Sequence, residues 1–587
     1  MARRSEAASS VADSDCGWSV NATDPVCETL SVENVALASA AARGKPSLWT
    51  WRMFKLYLCL LVATTNSCIN GYDGSLMAAI NSYPQYRSYF GFDPVKGTPT
   101  TGIVYAIYQI GNLAGSFAAG PATDAYGRKW GMFSGALLIV LGTVVQATST
   151  SLAAFMGGRF VLGFGVSICA SAGPAYVSEM AHPVYRGPLT GLYNAFWYVG
   201  ALPGSFVPYG TSELHGTAAW RVPTWLQLVF ACVVLFGSPF LPETPRWLIA
   251  NDRHEEALSV MAKYHGEGDR ESPIVQLEYR EMVEDISVTG ADKRWWDYRE
   301  LVNSAEVRYR SFIVVTFAFF SQWVGNGPIS YYYPLVLQSA GITNNHTRLL
   351  LNGCQVLVSL SGALIGATFT DRWGRRKQLL TSTFVIMLLF AGILALHATN
   401  PPLLDPSTNA PLLHADGTPK TLRPSHSRAV IVLIFAFGLV YSAGWTPLQA
   451  LYPVECLRYE SRAKGMGAYN ALVNLANFYN TFATGVAVTK IGWRYYVVFV
   501  AWDALVLAVV WAGYVETKRR TLEELAEIFR ARSPRKASLG RRGEGVDVLP
   551  GGRKESCASA SERESSEARW SWHRRGRDAM GWDGGSW

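Results

Sequence analysis

Charged side chains are scarce in this sequence of 587 residues: 16% are Asp, Glu, Lys or Arg, whereas 49% are hydrophobic. An average soluble domain carries about 25% charged residues. A soluble chain of this length would fold as several domains with polar surfaces, and the charge for those surfaces is missing. The composition therefore argues against a soluble multidomain enzyme, and it excludes a wholly disordered chain.

Paired cysteines and common enzyme signatures are also missing. The nine cysteines occur singly, without a CxxC pair, so we expect neither a disulfide framework nor a metal site. The sequence contains no P-loop, GxSxG or HExxH motif, and we therefore expect no enzymatic activity and no cofactor. The first 50 or so residues are polar and lack the apolar core of a cleavable signal peptide.

Apolar runs long enough to cross a hydrocarbon layer of about 30 Å recur along the chain. We find twelve, six on each side of a polar segment at about 244–311, too many for the remaining polar sequence to cover in a soluble protein. We name them spans 1 to 12, near 54–79, 100–122, 130–148, 152–178, 188–208, 222–242, 312–338, 348–369, 378–398, 429–453, 466–488 and 494–515.

These runs predict an all-α membrane protein with twelve transmembrane helices in two halves. The predicted parts are an N-terminal tail (1–53), a first half (54–243), a linker with short helices (244–311), a second half (312–516) and a C-terminal tail (517–587). Both tails are expected to be mostly disordered. Most of the 52 Lys and Arg lie in the tails, the linker and the loops of one side, so both termini are placed in the cytoplasm. The sequon at Asn345 then lies outside, where it can be glycosylated.

The two halves repeat each other in three paired signatures. In the first, Asp124-Ala-Tyr-Gly127-Arg128 is repeated as Asp371-Arg-Trp-Gly374-Arg375. In the second, the pair of Glu179 and Arg186 is repeated as Glu455 and Arg462. In the third, Pro242-Glu243-Thr244 is repeated as Val515-Glu516-Thr517. Such duplication is typical of transporters whose halves rock about a central binding site.

The first two signature pairs predict a conformational latch at the cytoplasmic edge. An Asp at a helix end and an Arg across a tight glycine turn can form charge-assisted hydrogen bonds, and the Glu–Arg pairs can extend them into a network that holds the inner face shut. The predicted members are Asp124, Arg128, Glu179, Arg186, Asp371, Arg375, Glu455 and Arg462. The alternative is that these charges only set the topology of solvated loops.

At these residues the chain resembles the sugar porter family of the major facilitator superfamily, over roughly residues 55–530. Three further strings look like the fungal lactose permease and related carriers: Arg186-Gly-Pro-Leu-Thr-Gly-Leu-Tyr-Asn194, Ala250-Asn-Asp-Arg-His-Glu-Glu-Ala257 and Thr446-Pro-Leu-Gln-Ala-Leu-Tyr-Pro-Val-Glu455. The resemblance implies the major facilitator fold, alternating access and short linker helices that close the inner side. The spacing in 250–263 itself predicts a solvated helix.

Charges inside the spans are few. Asp73 lies in span 1 and Arg159 in span 4, and an isolated ionised Asp in hydrocarbon must pair, become protonated or contact water. The resemblance implies that Asp73 carries the proton of a symporter and that Arg159 modulates it by pairing in only some conformations. A permanent structural ion pair is the alternative. Asp503 in span 12 is a second carboxyl, to which the resemblance assigns no role.

The resemblance places a sugar site on spans 5, 7, 8, 10 and 11, where amides and aromatic faces bind hydroxyl groups. The candidates are Asn194, Gln322, Asn326, Tyr331, Tyr332, Ser359, Trp445, Gln449, Asn474 and Asn477. Asn194 stands where many relatives have Gln, Ser359 replaces an Asn and Ala450 replaces a Trp. These departures favour a roomier site, such as one for a disaccharide. Hydrogen bonding between helices is the alternative role for each polar residue.

The function predicted from the sequence is proton-coupled import of a neutral sugar across the plasma membrane, either a disaccharide such as lactose or cellobiose or a hexose. The alternatives are a facilitative uniporter, a carrier of another polyol or glycoside, and a membrane sugar sensor that hardly transports. The expected partners are the sugar, a proton and the lipid bilayer, without nucleic acid, and we expect the chain to work as a monomer.

Overall fold

The computed structural model describes residues 49–91, 99–289, 299–331, 333, 337, 342, 344–399, 424–458, 462–491, 494–518, 520 and 522–540. Within these residues the long elements are α-helices, and each of the twelve predicted runs contains one. In the first half, spans 1 to 6 are Trp51–Ile80, Pro99–Tyr126, Arg128–Thr148, Leu152–Met180, Arg186–Thr211, and Ala218–Leu226 followed by Leu228–Gly237.

In the second half, spans 7 to 12 are Ala305–Trp323 followed by Asn326–Tyr331, Asn345–Trp373, Arg375–Ala398, Pro424–Gly444 followed by Leu448–Cys456, Arg462–Ile491, and Tyr495–Gly513. By length and composition alone, six helices of the described part can cross a membrane, namely those of spans 3, 4, 6, 8, 9 and 12. The other spans are less apolar because they carry more Asn, Gly, Ser and Tyr, or are broken.

Spans 7 and 10 are interrupted near the middle of each span. Gly325, at a φ of 86°, separates the two parts of span 7, and this left-handed conformation favours glycine. In span 10 the helix stops before Trp445 and resumes after Pro447, a residue that cannot donate a backbone hydrogen bond. Broken helices free backbone groups, which are tolerated in a membrane where they line a cavity.

Polar side chains join the two halves. The Asn474 side chain in span 11 donates to the hydroxyl of Ser116 in span 2 at 3.0 Å. Asn352 in span 8 donates to the hydroxyl of Ser205 in span 5 at 3.4 Å. Spans 2 and 11 and spans 5 and 8 therefore form contacts between the halves.

In its described part, the linker forms three α-helices, Pro245–Ala250, His254–Tyr264 and Pro273–Thr289, and the short 3-10 helix Arg299–Leu301. The helix predicted for 250–263 begins only at His254, because Asn251 and Asp252 form a turn in which Asp252 has a φ of 58°. The buried ring of His265 lies between the Glu278 carboxylate, 2.7 Å from Nδ1, and the Met180 carbonyl, 3.1 Å from Nε2. This contact holds the linker against the end of span 4.

The beginning of the predicted C-terminal tail is ordered into two helices, Leu522–Arg530 and Pro534–Leu539. Leu525, Ile528 and Phe529 of the first helix are buried against the core of the second half. Because these apolar residues recur at helical spacing, this part of the tail is a docked segment and departs from the disorder expected for it. Residues 541–587 lie outside the described residues.

Candidate functional site

The two charges predicted inside the spans form a buried ion pair. Nη1 of Arg159 donates to Oδ1 of Asp73 at 2.9 Å, and the side chains are 2% and 1% exposed. Nε2 of Gln227, in span 6, donates to the same oxygen at 3.2 Å. The Arg159 guanidinium also lies 4.8 Å from the ring centre of Tyr108 in span 2, a cation–π distance. Four spans therefore meet at this ion pair.

The Asp73 carboxylate is only partly satisfied by these contacts. Among the described residues, its second oxygen, Oδ2, has no hydrogen-bond partner, and neither has Nε of Arg159. Removing one partner from a buried ion pair leaves an uncompensated charge in a low-dielectric interior, which is strongly unfavourable. The charge states of Asp73 and Arg159 are therefore tied to each other.

At the edge of the first half where spans 2 and 3 join, Arg128 lies among three carboxylates. Its guanidinium bonds to Asp124 at 3.3 Å and to Glu179 at 3.1 Å. The Glu243 carboxylate accepts the backbone N–H of Arg128 at 2.9 Å and that of Thr244 at 3.1 Å. Burial raises the pKa of the Glu243 carboxyl above its usual range, although the backbone donors and Arg128 oppose the shift. We call these four charged residues the first edge cluster.

The second half repeats this arrangement around Arg375. Its guanidinium forms a two-pronged contact with the Glu455 carboxylate, at 2.8 and 3.1 Å. Glu516 accepts the backbone N–H of Arg375 at 2.8 Å. The Thr517 hydroxyl donates to Glu455 at 2.6 Å. We call these four residues the second edge cluster.

A glycine with a positive φ precedes each of the two arginines. Gly127 has a φ of 96° and Gly374 a φ of 93°. A Cβ added to Gly127 would lie 2.4 Å from the Glu243 carboxylate, and one added to Gly374 would lie 2.6 Å from that of Glu516. The glycines therefore allow the chain to turn while a carboxylate closes over the turn.

Glu243 and Glu516 were missed as site residues by reasoning from the sequence. Their signal was present, because both belong to the third paired signature, but the repeat alone did not show that they cap the Arg128 and Arg375 turns. The described bonds of each cluster stay within its own half. The side chains of three predicted latch residues, Arg186, Asp371 and Arg462, lie outside the described residues.

Two of the predicted sugar-binding amides belong to one hydrogen-bonded group in the second half. Nε2 of Gln322 donates to the Ser321 hydroxyl at 3.2 Å. Nε2 of Gln449 donates to the hydroxyl of Tyr441 at 3.0 Å, and that hydroxyl donates to the Ser321 carbonyl at 2.7 Å. Gln322 of span 7 and Gln449 of span 10 therefore belong to one network of hydrogen bonds.

Span 11 contributes a row of asparagines at a spacing of three residues. Asn474 contacts the first half, and the buried Oδ1 of Asn477 has no partner among the described residues. Asn480, which sequence reasoning missed, donates to the Gln322 carbonyl at 2.8 Å and lies against Gly327 after the break in span 7. The i, i+3, i+6 spacing of identical side chains was the signal that would have included Asn480.

Trp445 takes a packing position. Its side chain is fully buried, and its ring stacks on that of Phe317, with centroids 5.5 Å apart and planes inclined by 26°. It lies in the hydrophobic core of the second half, and its buried Nε1 has no hydrogen-bond partner among the described residues.

The remaining candidates are distributed over several spans. Asn194 and Ser359 are half-buried on spans 5 and 8, and Asn326 begins the second part of span 7. The side chains of Tyr331 and Tyr332 lie outside the described residues. Asn345 begins span 8, and its side-chain oxygen accepts a hydrogen bond from Arg348 at 3.3 Å.

Asp503 contrasts with Asp73. It is completely buried in span 12, and neither of its carboxylate oxygens has a hydrogen-bond partner among the described residues. The structure thus places one mid-span carboxyl in an ion pair and the other in an apolar environment.

The sequence matches the family model described as sugar (and other) transporter over residues 58–529. Because the match covers most of the chain, the protein belongs to this family, the sugar porter family of the major facilitator superfamily. Its members are membrane transporters, which confirms the expectation that the chain is not an enzyme.

Curated relatives include fungal carriers of several kinds. The chain is 27% identical to the high-affinity glucose transporter of Kluyveromyces lactis, over 81% of this chain and 85% of the relative. It is 26% identical to the MFS glucose transporter mfs1 of Aspergillus flavus, over 84% and 93%. It is also 30% identical to a probable quinate permease of Aspergillus clavatus, over 59% and 65%.

Solved structures of the xylose transporter XylE share the fold. The inward-open conformation of XylE from E. coli matches with a TM-score of 0.63 and 19% identity, over 80% of this chain and 99% of XylE. The proton:xylose symporter XylE bound to 6-bromo-6-deoxy-D-glucose matches with a TM-score of 0.64 and 19% identity, over 81% and 99%. Together with the helix order, these neighbours confirm the predicted all-α fold of twelve transmembrane helices.

Proposed function

We propose that the protein imports a neutral sugar together with a proton, by alternating access of its two halves at the plasma membrane, with both termini in the cytoplasm. The observation that carries the proposal is the buried pair of Asp73 and Arg159. A charged residue inside a span is expensive and marks a functional site by default. A uniporter of neutral sugars has no need of an acid at this depth.

In this proposal, Asp73 is the proton-binding group. Oδ1 is held by Arg159 and Gln227, while Oδ2 has no partner among the described residues and is the atom that accepts the proton. Protonation removes the negative charge from the pair, which weakens the hold of Arg159 on span 1. Span 1 is then released from span 4, and this couples the proton to the movement of the helices.

The available energy is sufficient for accumulation. One proton that moves through a potential of 100 mV gains about 2.3 kcal/mol, enough to concentrate a neutral solute about 50-fold. The edge clusters serve as the latch in this scheme, because they brace the loops between spans 2 and 3 and between spans 8 and 9.

The sugar is bound by the polar groups of spans 5, 7, 8, 10 and 11. Gln322, Gln449 and Asn477 provide amide donors and acceptors close to the breaks in spans 7 and 10. The named glucose transporters among the relatives and XylE, a xylose symporter by name, support a monosaccharide as cargo, whereas a disaccharide is supported only by the roomier site expected from the sequence. The probable quinate permease supports a second candidate, a carrier of a polyhydroxylated ring acid.

Uptake into proteoliposomes tests the proposal. Purified full-length protein is reconstituted, a pH gradient (acidic outside) is imposed, and labelled hexoses, pentoses, disaccharides and quinate are offered one at a time. We expect one neutral sugar to accumulate above its external concentration and a protonophore to reduce the ratio to about one. Equilibration without accumulation under every gradient would support the uniporter, and saturable binding without uptake would support the sensor.

A further inference from the structure

A basic cavity opens on the side of the protein where span 1 begins and span 6 ends. It has a volume of about 350 Å³ and lies between the first turn of span 1 and the second linker helix, His254–Tyr264. Its lining residues are Arg52, Lys55, Ser259, Ala262, Lys263, Tyr264, Gly268 and Arg270. The volume is at the lower end of the range for small-molecule sites, which begins at about 300 Å³.

The cavity carries an excess of positive charge. Arg270 contacts the Glu255 carboxylate at 3.3 Å, at a well-exposed position. Within the described part of the chain, no carboxylate contacts Arg52, Lys55 or Lys263; the two lysines contact only the rings of Trp51 and Tyr264. Three cations therefore face one cavity without an anionic partner, together with the Ser259 hydroxyl.

The local backbone brings Arg52 to the cavity wall. Gly268 has a φ of 96°, and a Cβ at this position would lie 1.9 Å from the Arg52 guanidinium. The turn after the second linker helix thus leaves room for this guanidinium, and the linker and span 1 form one wall.

The cavity lies beside a face of span 1 suited to the edge of a bilayer. Trp51, Phe54 and Leu58 are exposed at helical spacing, and Trp49 precedes them with 93% of its surface exposed. Tryptophans at a helix end are typical of the membrane–water interface. On a helix of 3.6 residues per turn, Lys55 lies between this apolar face and Arg52, so the cavity faces the level of lipid headgroups.

From these observations we propose that the cavity binds a phosphate-bearing polyol, such as the headgroup of a phosphoinositide in the cytoplasmic leaflet. Arg and Lys donate charge-assisted hydrogen bonds to phosphate oxygens, and Ser259 offers a hydroxyl partner for a ring hydroxyl. A bound phosphate bridges span 1 to the linker and stabilises their contact. The same chemistry is offered by a soluble inositol phosphate, and the test separates the two sources.

Binding is measured with the full-length protein and a fluorescent short-chain phosphatidylinositol bisphosphate, by fluorescence anisotropy. The variant Lys55→Gln with Lys263→Gln removes two cations that make no hydrogen bond in the described structure. Because a cation near an anionic headgroup contributes a factor of about five, we expect the affinity to fall about 30-fold. The control Arg280→Gln with Lys377→Gln removes two exposed cations elsewhere and should bind as the wild type does.

A second variant tests the cavity without removing a cation. Ser259→Asp places a carboxylate on the exposed wall and should weaken binding as well, while the temperature of thermal unfolding without the probe reports whether each variant is folded. Competition by free inositol trisphosphate identifies the source: weak competition assigns the site to the membrane lipid, and competition as strong as that of the lipid assigns it to a soluble phosphate. Wild-type affinity in both cavity variants, or an equal loss in the control, would overturn the proposal. Neither measurement depends on transport.

Discussion

In the first half of the molecule, mid-span charge is present as the ion pair of Asp73 and Arg159, with Gln227 as a third member. In the second half, the spans hold the isolated carboxyl of Asp503 and a set of amides on spans 7, 10 and 11. At the edge clusters, by contrast, the two halves are nearly the same, with an arginine, a glutamate from the fourth or tenth span and a capping glutamate.

This difference teaches which parts of a duplicated transporter are scaffold. The edge clusters form matching bonds in the two halves, in keeping with the latch role that we propose for them. The interior groups differ, in keeping with the proposed division into proton binding in the first half and substrate binding in the second.

The largest effect is expected at Asp73. Replacement by Asn keeps the shape of the side chain and removes the proton-binding acid. The ratio of internal to external sugar in proteoliposomes should therefore fall from about 50 to about 1. Exchange of labelled for unlabelled sugar at equal concentrations should persist, because it needs no net proton movement. Full accumulation by Asp73→Asn would contradict the assignment of the proton site.

The edge clusters should give an intermediate effect. Arg375→Gln loses the two-pronged contact with Glu455, and we expect the turnover rate to fall roughly tenfold, which corresponds to about 1.5 kcal/mol for one charge-assisted hydrogen bond. Arg128→Gln should slow transport to a smaller extent, because its contacts are spread over two carboxylates at longer distances. The double variant should be slower than either.

The matched control for these arginine variants is Lys377→Gln, at an exposed position two residues after Arg375. It should transport like the wild type at equal membrane expression. If the arginine variants also kept their turnover rates, the edge clusters would be topological charges and not a latch.

The turns before the arginines should affect stability equally in both halves. Gly127→Ala and Gly374→Ala each place a side chain at a positive φ, which destabilises the folded protein by about 1–2 kcal/mol. Each new Cβ would also clash with a carboxylate. We expect a lower midpoint of thermal unfolding for both variants. Gly120→Ala, in span 2 with open space around its Cβ position, should not lower the midpoint. A lower midpoint in only one of the two glycine variants would mean that the turns are not equivalent.

The smallest effect is expected at Asp503. Burying an ionised carboxylate without a partner is strongly unfavourable, and the described structure provides no partner there. Asp503→Asn should therefore leave accumulation unchanged and either preserve or raise the thermal midpoint. Loss of accumulation in this variant would give the second half a proton-linked role of its own.

The sequence was sufficient to predict the twelve helices and the repeat, which follow from hydrophobic length and from the paired signatures. The pairing of Asp73 with Arg159 was implied by the family resemblance, as a contact made in some conformations. Gln227 was not predicted as the third partner, because a neutral amide in an apolar helix carries no distinguishing pattern. The depth of Trp445 was not predictable either, since an aromatic residue beside a helix break suits a pathway as well as a core.

The linker and the two edge clusters show a related limit of prediction from sequence. The spacing in 250–263 predicted a helix, but the turn at Asp252 depends on a backbone conformation that composition does not reveal. The capping roles of Glu243 and Glu516 arise from contacts between residues more than 100 positions apart along the chain, and a repeat identifies such residues without showing what they touch.

Proton movement itself provides the most direct test of the central claim. Proteoliposomes are suspended in a weakly buffered medium, sugar is added outside, and the external pH is recorded during uptake by the wild type and by Asp73→Asn. We expect an alkalinisation that follows sugar entry in the wild type and is absent in the variant. Sugar entry by the wild type without any change of external pH would contradict that claim.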